Sequence, residues 1–159
     1  MDEFFVPDCF EKVWERVTER NARTDVPMDK CRELENFIDR KMRAIAFYKV
    51  LIGRCGKREG QTLCRILADE RRHLRQLQLQ YFMLTGDSMP LAQPKQSPMG
   101  LLSACREASL AEAEACRMFR RGAEDWAHTR ELFLAIAEDE ERHSQLMAEA
   151  VARLFKGRG

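Results

Sequence analysis

Long apolar runs, paired cysteines, histidines and an excess of either charge are scarce or missing in this chain of 159 residues, and each scarcity narrows its function. No stretch of eighteen apolar residues occurs, so no membrane helix is expected. The six cysteines (Cys9, Cys31, Cys55, Cys64, Cys105, Cys116) contain no Cys-x-x-Cys pair. They outline neither a zinc ribbon nor a rubredoxin-like iron site and read as reduced, mostly buried thiols. Formal net charge is +1 with acids and bases interspersed. No basic face points to nucleic acid, and no acidic tail points to a basic partner. Met1 to Pro7 lack a cationic region followed by an apolar run, so a cytoplasmic location is expected. An apolar content of 45% beside 33% charged residues suits a single helical domain large enough to bury a core.

Only three histidines are present, and two of them belong to one device used twice. Glu70-Arg71-Arg72-His73 follows Asp69, and Glu140-Glu141-Arg142-His143 follows Asp139. Residues three apart share a helix face, so each pair offers a carboxylate and an imidazole to one point. The repetition extends outward, from Ile66 to His73 against Ile136 to His143, at an offset of about 70 residues. Upstream, Ala44 aligns with Ala115 and Tyr48 with Phe119, which sets Lys41 opposite Glu112. The chain reads as an internal duplication of a two-helix unit, 29–85 and 101–156.

Helical periodicity defines five segments, and strand signals are nearly absent. An N-terminal segment, about Pro7 to Asn21, carries Phe10, Val13, Trp14 and Val17 on one face; it lies in an extension, 1–28, outside the duplication. The first repeat helix, about Asp29 to Arg54, has the stripe Leu34, Ile38, Lys41, Ile45, Tyr48, Ile52. The second, about Gln61 to Leu84, has Leu63, Ile66, Glu70, His73, Leu77, Tyr81. The third, about Leu101 to Ala123, carries Cys105, Ala108, Glu112, Ala115 and Phe119. The fourth, about Thr129 to Phe155, carries Phe133, Ile136, Glu140, His143, Met147, Ala150 and Leu154. Between Gly86 and Gly100 lie three of the five prolines, in a connection that reaches roughly 50 Å when extended. That is enough to return along a helix of ~36 Å and to permit a long crossover. Carboxylates and imidazoles in apolar stripes require a compensating cation or proton.

These residues resemble the ferritin-like di-iron carboxylate proteins, and more closely their rubrerythrin-like branch, over about residues 30–155. The resemblance rests on the paired helices and the two Asp-Glu-x-x-His motifs. It implies an all-α, ferritin-like four-helix bundle over 29–157, with the long crossover between helices two and three and the extra N-terminal helix in front. It also implies metal ligands at Glu70, His73, Glu112, Glu140 and His143, with iron as cofactor and manganese or zinc as alternatives. Peroxide or dioxygen would be reduced with electrons from an external donor, and a homodimer is the expected assembly.

Lys41 departs from the pattern, standing where the family places the first helix's carboxylate; an ammonium has no lone pair to ligate with. Four carboxylates neutralise two divalent ions, whereas three carboxylates and an ammonium neutralise one. Two metals, one metal at Glu112, Glu140, His143 and Glu70, and none therefore stay open, and with them an oxidoreductase, an iron-binding or sensing protein, and a structural bundle. Ser109 and Phe119 also depart, replacing a further Glu and a site-adjacent Tyr. Tyr48 reads as a core residue beside the site, and His128 as a surface residue in a turn.

Overall fold

A computed structural model describes residues 28–89 and 100–156. They form four helices: α1 (Met28–Ile52), α2 (Lys57–Thr85), α3 (Leu101–Asp125) and α4 (Arg130–Lys156), with no strand among the described residues. The N-terminal helix expected near residues 7–21, and most of the proline-bearing connection, lie outside the described residues.

Boundaries follow local chemistry. Helix α2 begins a turn earlier than the apolar stripe suggests, because Gly56, with extended backbone, accepts the amide of Gly60 at 2.8 Å and opens the helix ahead of its first apolar residue. It ends where Gly86 takes φ 78° and donates its amide to the Phe82 carbonyl at 2.8 Å, a left-handed cap that suits glycine. His128 is exposed in the turn between α3 and α4.

Contacts along the helices set their directions. Tyr81 bonds to Glu35 while Lys41 meets Glu70, so α1 and α2 are antiparallel; Ser109 and Ser144 exchange side-chain to carbonyl bonds of 3.0 and 2.8 Å while Phe119 meets Phe133, so α3 and α4 are antiparallel as well. The hairpins face each other through two further antiparallel pairs. Asp69 lies beside His143 and His73 beside Asp139, whereas Arg40 reaches Glu114 and Trp126 reaches Glu33. Helices α2 and α3 consequently run in the same direction. Leu84 packs with one end of the bundle and Leu101 with the other.

Two apolar clusters bracket a polar layer. One end is built on Leu34, Phe37, Ile38, Leu77, Phe119, Trp126, Phe133 and Ile136. The other is built on Ile45, Tyr48, Leu51, Leu63, Ile66, Cys105 and Met147. Each fully buried aliphatic or aromatic side chain contributes roughly 1.5–3 kcal/mol, which is what holds charged groups in place between them. Phe119 is fixed by stacking on Phe37 at 4.6 Å and meeting Phe133 edge-on at 5.7 Å. Gly122 leaves room for these rings, since a Cβ there would lie 3.0 Å from Phe133 and 3.3 Å from Phe37. Among the described residues no helix is long and apolar enough to cross a membrane.

Candidate metal centre

The polar layer contains Lys41, Glu70, His73, Glu112, Glu140 and His143, all at most 4% exposed. Every one lies on its helix's core stripe, so the bundle turns all six toward one another. The antiparallel pairing gives the layer an approximate twofold axis that exchanges α1 with α3 and α2 with α4. Under it Lys41 corresponds to Glu112, Glu70 to Glu140, His73 to His143 and Tyr48 to Phe119.

Lys41 is central. Its Nζ lies 3.0 Å from Glu70 and 2.5 Å from Glu140, bridging α1 to both facing helices, and 5.5 Å from the centre of the Phe119 ring. Across the axis the Tyr48 hydroxyl donates a short hydrogen bond to Glu112. Glu35 and Asp39, the other acids of this part of α1, bond to Tyr81 and Arg43 instead.

Proton positions follow from this arrangement. Burial works against the charge of Lys41, but Glu70, Glu140 and Glu112 outweigh it and hold the ammonium above its ordinary pKa. Burial likewise opposes ionisation of Glu70 and Glu140. Lys41 prevails at both, with help at Glu70 from the two histidines, and their pKa values fall. Glu112 differs: burial and the charges of Glu70 and Glu140 push it well above the carboxylate range. Burial disfavours a charged His73, yet Glu140 and Glu70 raise it to about 9. The layer thus favours charge on Glu70, Glu140, Lys41 and His73 and disfavours it on Glu112. Burial and Glu112 also keep Tyr48 protonated, so its hydroxyl is a donor.

Sequence reasoning noted Asp69 and Asp139 but gave neither them nor Arg72 and Arg142 a role. His73 Nε2 meets Asp139 at 2.9 Å and His143 Nε2 meets Asp69 at 3.2 Å, each across the α2–α4 seam. Arg72 binds Asp69 and Asp139, both at 2.6 Å, while Arg142 binds Asp139 at 2.7 Å and Asp69 at 3.1 Å. This ring closes the seam and turns both imidazoles so that Nδ1 faces inward. The signal was in the repeat itself, where Asp and Arg recur at the same places around each Glu-x-x-His; only the antiparallel crossing shows that each Asp serves the other helix's histidine.

Four inward atoms, Glu70 Oε2, His73 Nδ1, Glu140 Oε1 and His143 Nδ1, are buried with no aligned hydrogen-bond partner among the described residues. Some are close to a partner without being aligned, as Glu70 Oε2 is to Lys41 Nζ at 3.0 Å and His73 Nδ1 to Glu140 Oε1 at 3.1 Å. Buried lone pairs of this kind are costly unless a cation or proton meets them. Ligand atoms of Glu70, Glu112, Glu140 and His143 all lie within 4.8 Å of one another, so this buried group can hold a metal ion. His73 is outside that set; its Nδ1 is turned to Glu140 and Glu70. Ser109 donates to the Ser144 carbonyl. A cleft of about 950 Å³ between α1 and α3 reaches Lys41, Tyr48, Glu112 and Glu140 past Ala44, Ala108 and Met118.

No family model matches this chain, and neither does a curated protein or a solved structure.

Proposed function

We propose that this protein is a rubrerythrin-like, ferritin-type bundle that binds one divalent ion, iron by preference, through Glu70, Glu112, Glu140 and His143, with Lys41 serving as the charge of a second ion. The observation carrying this reading is the Lys41 ammonium lying between Glu70 and Glu140, the two carboxylates that would otherwise bridge a metal pair. Three carboxylates with one ammonium leave charge for one divalent ion once His73 gives up its proton. Mixed carboxylate and imidazole donors suit iron or manganese better than a closed zinc site, and the choice between those two is made by supply as much as by affinity.

Bound iron would supply exchange between Fe(II) and Fe(III). The chain's own residues do the rest. Glu112 would give up its proton to a bound ion's charge, Tyr48 holds that carboxyl by its hydroxyl, and the Asp69 carboxylate beside Nε2 leaves His143 Nδ1 as the nitrogen that would hold the ion. The α1–α3 cleft admits small molecules to the Glu112 side. Reduction of peroxide or dioxygen is the associated activity, with electrons from an external donor and a homodimer as the working assembly. A single ion delivers one electron at a time, so binding or sensing of the metal is the competing role, and a metal-indifferent structural bundle is a third.

The test is anaerobic loading of the purified chain with Fe(II), removal of excess metal and measurement of iron per chain. One ion is expected. Two would restore the di-iron peroxidase reading, and none, with a melting temperature indifferent to Fe(II), Mn(II) and chelator, would leave the structural bundle.

A further inference from the structure

The twofold relation in the polar layer pairs each charged residue of α1 or α3 with an aromatic ring from the opposite helix. Glu112 faces Tyr48, and its symmetry mate Lys41 faces Phe119. The chemistry of each pair is matched. A buried carboxylate gains from a hydroxyl donor, and Tyr48 supplies one. An ammonium already donating to two carboxylates has no need of another donor and is favoured by the negative face of a ring, which Phe119 presents at 5.5 Å. Exchanging only one member breaks the match. A carboxylate at position 41, set by the twofold against Phe119 as Glu112 is against Tyr48, would meet the para edge of that ring with no donor to hold it, while a lysine at position 112 would leave the Tyr48 hydroxyl buried without its acceptor.

We infer that Lys41 and Phe119 form one functional unit in which Phe119 is the positioning residue, so that the first half-site is built as a lysine site and holds a second ion tightly only when both residues are exchanged. This rests on the one-ion reading above. It differs from simple loss of a ligand, which restoring the carboxylate alone would reverse. Phe119 is 2% exposed and wedged between Phe37 and Phe133, so its ring position is set by the core and its para position is the variable that counts.

Four forms of the full chain separate the possibilities: wild type, F119Y, K41E and K41E/F119Y. Each is titrated anaerobically with Fe(II) and separately with Mn(II), reading ions per chain and the affinity of each step, and each is melted in chelator. Wild type and F119Y are expected to bind one ion. In K41E the second ion binds weakly, and in K41E/F119Y its affinity rises roughly tenfold or more, the scale of one hydrogen bond to a charged group. In chelator K41E/F119Y melts above K41E. Equal second-ion affinities and equal melts in those two forms would overturn the pairing while one ion in the wild type left the function standing. Two ions in the wild type would overturn both. No ion in any form would overturn the inference and the one-ion reading together. If K41E does not fold, the reciprocal exchange decides: E112K/Y48F is expected to melt above E112K, and the reverse order would refute the matching of ring to charge.

Discussion

The two half-sites of the polar layer share a backbone plan and differ in charge. On one side Glu112, whose ionisation burial and the neighbouring carboxylates oppose, is held by the Tyr48 hydroxyl; on the other Lys41, firmly protonated, lies between Glu70 and Glu140 and over Phe119. Carboxylates at both position 41 and position 112 would join Glu70 and Glu140 and place four negative charges together in one buried layer. Exchanging one of them for lysine removes that conflict without a metal. The lesson is that a symmetric scaffold can carry an asymmetric charge pattern when packing at both ends, not the polar layer, holds the helices.

The largest effect that would break this comparison is removal of the internal cation. Lys41→Met leaves Glu70 and Glu140 buried without it, and a loss of about 3–5 kcal/mol is expected in chelator by denaturant titration. Added divalent metal should recover part of that loss. Full stability in chelator would show that Lys41 is not the balancing charge.

A sharper contrast lies between Glu70→Gln and Glu112→Gln. The first removes an ionised partner of Lys41 and should cost about 2–3 kcal/mol in the metal-free protein. The second replaces a carboxyl whose charge burial and its neighbours already disfavour, so metal-free stability should change by less than about 1 kcal/mol while metal affinity collapses. Equal stability losses would contradict the opposite pKa directions of the two acids.

Next in size are the outer partners of the histidines. Asp69→Asn weakens the group orienting His143, and a roughly 10- to 100-fold loss of metal affinity is expected; Asp139→Asn acts on His73, outside the ligand set, and should cost less. Titration by a competing chelator measures both, and equal losses would place His73 among the ligands. Smallest is Tyr48→Phe. It removes one donor to Glu112 and should lower metal affinity about tenfold with little change in fold stability.

Much of the fold was legible. Every residue of the α3 stripe expected from spacing, Cys105, Ala108, Glu112, Ala115 and Phe119, is buried, and so are Leu34, Ile38, Lys41, Ile45 and Tyr48 on α1. At the far end of α1 the buried position is Leu51, and Ile52 is partly exposed. A helix of 3.6 residues per turn drifts from a strict alternation of three and four, and the drift accumulates toward the ends. Leu154 near the end of α4 is only partly buried as well. The start of α2 was misplaced because its first turn, Lys57 to Gly60, has no apolar residue to mark it.

What the sequence determined by itself was which side chains share a face: a 3.6-residue period and a repeated Glu-x-x-His suffice to put carboxylate, imidazole and Lys41 on the buried stripes. What it left open was which residue meets which across the bundle. Only the tertiary structure joins Tyr48 to Glu112 rather than to its own half, sets Lys41 between two carboxylates, and crosses each aspartate to the other helix's histidine. The reason is physical. Periodicity fixes the direction of a side chain from its own helix axis, whereas its partner depends on the relative direction and height of a neighbouring helix, and those are chosen by the apolar clusters at both ends.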